Sequence, residues 1–300
     1  MSTGTEPARV GLGLTHEHDR ALRVTWGDRE LFRYVYRPWD EQRESPRPYL
    51  HPMWTLDGRP VSLYRPHDHV WHKGMSLALA NVGADNFWGG PTYLRPYGGY
   101  AQLPNNGAQL HDGFTKLSAA ADRIAVAEQL TWVAQDGRHV FAEERGLDVT
   151  ALPEDGAWQL DLTTALRNIG DTELAIGSPE TEGRAGAAYS GLFWRGPRSF
   201  SGGTVRIPDA EGTDELNGAR APWMAFTGRH DGDGEQSTLL MADHTGPTAW
   251  FVRSEVYAVL CPAAFAEVRR VGPGETLTLR YRVVVADGDL DHKTCARLAA

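Results

Sequence analysis

The sequence predicts an all-β protein, a large antiparallel β-sandwich, on three observations. Apolar and polar residues alternate along much of the chain, 33 glycines and 18 prolines punctuate it at short intervals, and no long stretch repeats its apolar residues at helical period. Many short strands separated by turns bury one face each, and they do so most readily as two facing sheets or a barrel. Sandwiches of 300 residues are commonly one unit, so a single β-sandwich domain over 1–300 is expected. The 41% hydrophobic and 23% charged residues suit a chain with a sizeable core.

The first clear strand sets Leu22, Val24 and Trp26 on one face against Arg23 and Thr25. From about Asn81 to Asn106 the rhythm breaks at Gly89-Gly90-Pro91, Gly98-Gly99 and Pro104-Asn105-Asn106. The same stretch carries Phe87, Trp88, Tyr93, Tyr97 and Tyr100, and it reads as a long aromatic loop of the kind that serves as a lid or binding loop. A hairpin follows. Gln135-Asp136-Gly137-Arg138 centres Asp-Gly in a two-residue type I′ turn. Pairing outward from it sets Trp132 against Phe141, Leu130 against Glu143, Glu128 against Arg145, Val126 against Leu147 and Ile124 against Val149 on one face. Trp158, Leu160 and Leu162 mark another strand. After Gly272-Pro273-Gly274, Leu277, Leu279, Tyr281, Val283 and Val285 share a face opposite Thr276, Thr278, Arg280 and Arg282.

Charge and composition narrow the function. A net charge of -9 without a Lys/Arg run argues against nucleic acid as a partner. Met1 to Arg9 lacks the basic-then-apolar layout of a signal peptide, and no apolar run nears the ~20 residues that span a bilayer. A cytoplasmic protein without a membrane partner is therefore expected. Cys261 and Cys295, two thiols far apart, suit neither a disulfide framework nor a thiolate zinc site. Any metal would rely on histidines and carboxylates.

Two groups of residues carry chemistry. The hairpin places Glu128, Glu143 and Arg145 within an apolar stripe. They read either as a structural ion pair or as a site in which desolvation lifts a carboxyl toward acid–base use. Glu143, set opposite Leu130, is the better acid–base candidate. The second group is Pro66-His67-Asp68-His69-Val70-Trp71-His72-Lys73-Gly74. If extended, this segment points His67 and His69 to one side, whereas a helical turn brings His69 and His72 together. Converging imidazoles suit a divalent metal on His67, His69 and His72, an acid–base pair, or a grip on a polyol. A metal would need Glu143 or Glu182 to complete its shell. Alternatively, the histidines satisfy buried carbonyls beside Trp71. The cluster is expected to line the largest polar-and-aromatic pocket, under the loop that carries Trp88. Glu182, Arg184 and Arg195, near glycines and aromatics, and His244 at the Asp243-His244-Thr245-Gly246-Pro247 turn are further polar candidates.

Several words of the sequence resemble the bacterial family labelled PmoA-like: Tyr49-Leu50-His51-Pro52, Tyr64-Arg65-Pro66-His67-Asp68-His69 with Trp71-His72-Lys73-Gly74, and Asn86-Phe87-Trp88-Gly89-Gly90-Pro91. Two more are Ser190-Gly191-Leu192-Phe193-Trp194-Arg195-Gly196-Pro197-Arg198 and the closing Pro273 to Val285 strand. The methane monooxygenase subunit of that name is a membrane protein, so the label does not bring its chemistry here. What the resemblance implies is a family of unknown function found among bacterial sugar-catabolism genes. It also implies a galactose-mutarotase-like supersandwich, a fold in which histidines and a carboxylate act on the anomeric centre of a sugar. No role is carried over residue by residue. The expectation is a carbohydrate-processing enzyme of the epimerase, lyase or hydrolase type, with His67, His69, His72 and Glu143 as acid–base groups. Lys73, Asn86, Trp88, Glu182, Arg184, Arg195 and His244 would hold a small-molecule carbohydrate. The alternatives are a metal-dependent enzyme, distinguished by metal content, and a non-catalytic sugar-binding module, distinguished by binding without turnover.

Overall fold

Two nine-stranded antiparallel sheets, with a three-stranded and a two-stranded sheet beside them, make up the β-structure of the described residues. A computed structural model describes residues 10–246 and 248–300; residues 1–9, on which the absence of a signal peptide was read, and Pro247 of the Asp243 turn lie outside it. The first sheet runs, in spatial order, Leu12–Glu17, Ala21–Trp26, Arg29–Val35, Tyr49–Met53, Met75–Ala78, Gly191–Arg195, Val259–Ala263, Thr248–Arg253 and Arg220–Ala221. The second runs Ala210–Gly212, Thr204–Ile207, Trp223–Arg229, Gln236–Asp243, Thr276–Asp287, Ala157–Asn168, His139–Leu152, Arg123–Val133 and Ala108–Ala119.

One core joins them. Val24, Phe32, Leu50, Leu77, Trp194 and Trp250 of the first sheet pack with Trp132, Phe141, Leu160, Tyr281 and Val285 of the second. These are the inward positions that alternation assigns, so the predicted all-β class and its strand faces hold. Each sheet is also partly covered on its outer side. The helix His292–Ala299, capped by Asp291 through the Thr294 amide at 2.7 Å, lays Cys295 and Leu298 on Trp223, Leu240 and Val284. Val284 is buried for that reason, although alternation points it outward. Loops cover Ala78, Phe193, Phe251 and Val259 on the outer face of the first sheet, and the candidate site lies there.

The hairpin register holds at all five predicted pairs, from Trp132 and Phe141 to Ile124 and Val149, but the turn differs. Its loop is Gln135-Asp136-Gly137: the Ala134 amide donates to the Arg138 carbonyl, the Gly137 amide to the Ala134 carbonyl, and Gly137 takes φ +90°. That is a three-residue connection with a left-handed glycine. Val133 then pairs with His139 and Trp132 with Phe141, so Val140 bulges out and restores the register that a two-residue turn would have given. The stretch 81–106 also departs from expectation. It is not structureless, because Thr92–Leu94 and Gly99–Ala101 pair as a small hairpin with Tyr93 opposite Tyr100.

Within the core the charged residues of the hairpin form a closed network. Arg145 reaches along its own strand to Glu143, with Nε to Oε1 at 2.7 Å and Nη2 to Oε2 at 2.9 Å, rather than across to Glu128. Trp132 Nε1 donates to Glu143 at 2.6 Å and Thr164 Oγ1 at 2.7 Å. Glu128 meets His111 Nδ1 at 2.6 Å and accepts from the Tyr34 hydroxyl, and Arg145 also donates to Tyr34 and Gln109. The expectation that a partner on the next strand would leave Glu143 free overlooked its neighbour two residues along, which lies on the same face of the strand.

Candidate functional site

The histidine segment turns rather than extends. The His69 amide donates to the Pro66 carbonyl and the His72 amide to the His69 carbonyl, both at 2.9 Å, giving two successive turns. His69 and His72 therefore meet, with ring centroids 4.8 Å apart and planes 29° from parallel. His67 is directed elsewhere: it is exposed, and its Nδ1 accepts from Arg198 at 3.0 Å. The three imidazoles do not converge, and among the described residues no group of three His, Cys, Asp or Glu side chains is placed to hold a metal ion.

A clamp of charge fixes this segment. Lys73, fully buried, pairs with Asp40 at 2.9 Å and with Glu44, and lies over the Tyr64 ring. Glu44 is also held by Arg65 through both oxygens, at 2.6 and 2.9 Å. Buried Arg47 donates to the carbonyls of Glu44, Ser45 and Trp71. Lys73 is thus an anchor rather than a ligand grip. Asn86 plays a comparable part: its side-chain oxygen accepts the amides of Trp88 and Gly89, at 2.8 and 2.9 Å, and shapes the loop carrying Trp88. Gly90, at φ +68°, lies so close under Trp71 that a Cβ would stand 2.6 Å from the indole.

Together these loops enclose a cavity of about 280 Å³ on the outer face of the first sheet. Phe193, Phe251, Arg253 and Val259 form its floor. His69, Trp71, His72, Trp88, Gly89, Pro91, Tyr100, Arg184, Tyr189 and Tyr257 form its walls. It is not the largest hollow, since an open groove of about 660 Å³ crosses the outer face of the second sheet. The cavity owes its enclosure to the aromatic loops, and the groove its volume to an open sheet surface.

Of the sequence candidates, His69, His72, Trp88 and Arg184 come together here. Arg195 lies alongside, buried, with its guanidinium 4.0 Å over the Tyr257 ring and with Nε and Nη1 lacking hydrogen-bond partners. Glu143 sits in the inter-sheet core, Glu182 in a turn 3.9 Å from Arg95, and His244 on the Ala299 carbonyl of the terminal helix at 2.9 Å. Arg253 and Tyr257 escaped the sequence reading. Trp250-Phe251-Val252 held a signal for the first, since three successive apolar residues mark a strand covered on both faces, which makes its Phe251 and Arg253 face a lined one.

The two imidazoles differ in environment. His69 Nδ1 meets Asp68 at 3.0 Å, which orients the ring and leaves Nε2 for a ligand. His72 is 5% exposed and its Nδ1 has no partner; burial, and next the neighbouring His69, Arg195, Arg47 and Lys73, hold its pKa well below the usual range, so it stays neutral. Burial likewise pushes His51 down to about 4 and lowers His230. These depressed values have a consequence for stability. Above the unfolded value of about 6.5 all three are neutral in both states, whereas below it the unfolded chain takes up protons that the folded chain refuses. Thermal melting between pH 8 and 4 should therefore show the melting temperature falling from about pH 6.5 downward, with His51→Gln flattening the fall. A pH-independent melting temperature over that window would contradict the burial of these rings.

The fold and site define a class: an antiparallel β-sandwich carrying a small cavity of imidazole, guanidinium and aromatic groups on the outer face of one sheet. The chain belongs to the "Family of unknown function (DUF6807)", which matches residues 21–300. No curated protein matches it. Among solved structures it is similar to a galactose 1-epimerase from Lactobacillus acidophilus, at 8% identity over 93% of this chain and 100% of that one, with a TM-score of 0.39. A putative aldose 1-epimerase from Klebsiella pneumoniae gives 10% identity over 95% and 81%, TM-score 0.39. An alpha-galactosidase from Lactobacillus brevis gives 8% over 94% of this chain but 40% of its own, TM-score 0.38. Identities and scores of this size assign no role to any residue here. No helix among the described residues is long and apolar enough to cross a membrane.

Proposed function

We propose that the protein is a carbohydrate-processing enzyme whose chemistry is proton transfer by His69, with the neutral His72 stacked against it. The observation that carries this reading is the stacked imidazole pair in the wall of an aromatic cavity, one ring oriented by a carboxylate and the other held neutral. An imidazole with Asp68 on Nδ1 presents Nε2 to accept and return a proton, while the neutral buried His72 stacked on it stays uncharged and backs the ring. Indole and phenol faces offer platforms for a sugar ring. At about 280 Å³ the cavity is near the lower end of the ~300–1,000 Å³ usual for ligand sites, which suits a single sugar unit. Three of the sequence words that resemble the PmoA-like family, those containing His72, Trp88 and Phe193, meet at this cavity. Epimerisation, elimination and hydrolysis all draw on such a proton-transferring group.

The test is a panel of monosaccharides and sugar acids followed by proton NMR for epimer formation, elimination or glycoside cleavage. Turnover of at least one member by the wild type and its loss in His69→Ala is the expected result. A sugar that binds in the cavity while no member of the panel is turned over would replace the enzyme with a binding module.

A further inference from the structure

The charge of the cavity sets it apart from the rest of the molecule. The chain carries 39 acidic residues against 30 basic ones, yet no Asp or Glu is among the described residues lining the cavity, whereas Arg184 and Arg253 are. Neither arginine is neutralised by a carboxylate among the described residues. Arg184 donates to the Tyr100 hydroxyl and lies over its ring, and Arg253 donates to the carbonyls of Val252 and Gly186, at 2.7 and 2.8 Å. Behind Tyr257 lies the third guanidinium, Arg195, which is 1% exposed with two unpartnered nitrogens. A buried cation is ordinarily paired, because removing it from water is costly. One such buried guanidinium, with the half-buried Arg253 and the exposed Arg184 at the same cavity, makes a positive field in a protein of net negative charge, where a ligand of opposite sign would complete the pairing.

We infer that the sugar bound in this cavity carries an anionic group, the carboxylate of a sugar acid or the phosphate of a sugar ester, recognised by Arg184 and Arg253 and stabilised by the field of Arg195. This rests on the reading of the cavity as a carbohydrate site and names the substrate class for it. Guanidinium groups suit this role because their planar fork of donors matches carboxylate and phosphate oxygens. The aromatic walls would hold the ring while the arginines fix its orientation relative to His69.

The experiment is calorimetric titration of the full chain with D-glucuronate and D-galacturonate, with the neutral D-glucose and D-galactose, and with glucose 6-phosphate. Wild type, Arg184→Gln and Arg253→Gln are compared at low and high salt. At least one anionic sugar should bind tenfold or more tightly than its neutral counterpart, and the stronger of uronate and phosphate identifies the anion. Each arginine variant should weaken that binding by about tenfold to a hundredfold, and high salt should narrow the preference. Arg184 is exposed, so Arg184→Gln tests the idea even if Arg253→Gln fails to fold. Equal or tighter binding of the neutral sugars, or uronate and phosphate affinities untouched by Arg184→Gln, overturns the anionic assignment and leaves the sugar site standing. Failure of every sugar to bind overturns the site and the assignment together.

Discussion

Arg145→Met is expected to destabilise the protein by about 3–5 kcal/mol, because it leaves Glu143 and Glu128 in the core without their cation. Both carboxylates are at most 2% exposed, and Arg145 is the group that joins them, bonding Glu143 directly and Glu128 through Tyr34. Urea unfolding of the variant should show a correspondingly lower midpoint with an unchanged slope. The double replacement Glu143→Leu with Arg145→Met should recover part of the loss, since an apolar pair of similar volume removes the desolvated charge along with its partner. If Arg145→Met costs less than about 1 kcal/mol, the network is wetter than its burial implies.

The same network shows what the sequence disclosed and what it withheld. Period-two alternation and turn residues were sufficient for the all-β class and for the hairpin register, because one buried face penalises a slip of one residue across the whole strand. The register was reached through a turn one residue too short, and the bulge at Val140 compensates. Site assembly was less legible. Within six positions the histidine run allowed either pairing, and the choice of His69 with His72 is made by the turns at Pro66 and His69, which rest on the clamp from Asp40, Glu44 and Arg47. Those anchors lie more than twenty residues earlier in a charged stretch with no periodic signal. Glu143 shows the opposite failure: a carboxylate in an apolar stripe looks reactive until an arginine on its own strand is counted.

The second large effect concerns catalysis. His69→Ala should lower kcat on the substrate found by the sugar panel by about a hundredfold to ten-thousandfold, the contribution of a positioned acid–base group. Melting should change little, because His69 is only half-buried and its hydrogen-bond partner, Asp68, is exposed. Asp68→Asn should produce a smaller loss of kcat with little change in KM, since Asp68 acts by orienting the His69 ring through Nδ1. A kcat unchanged in His69→Ala would remove the imidazole pair from the chemistry.

The measurement closest to the central claim is a crystal structure of the full chain soaked with D-glucuronate. One sugar ring is expected between the aromatic walls of the cavity, with an oxygen within hydrogen-bond reach of His69 Nε2 and its carboxylate on Arg184 or Arg253. A sugar seated instead in the open groove of the second sheet, with the His69 and His72 cavity untouched by it, would contradict the account.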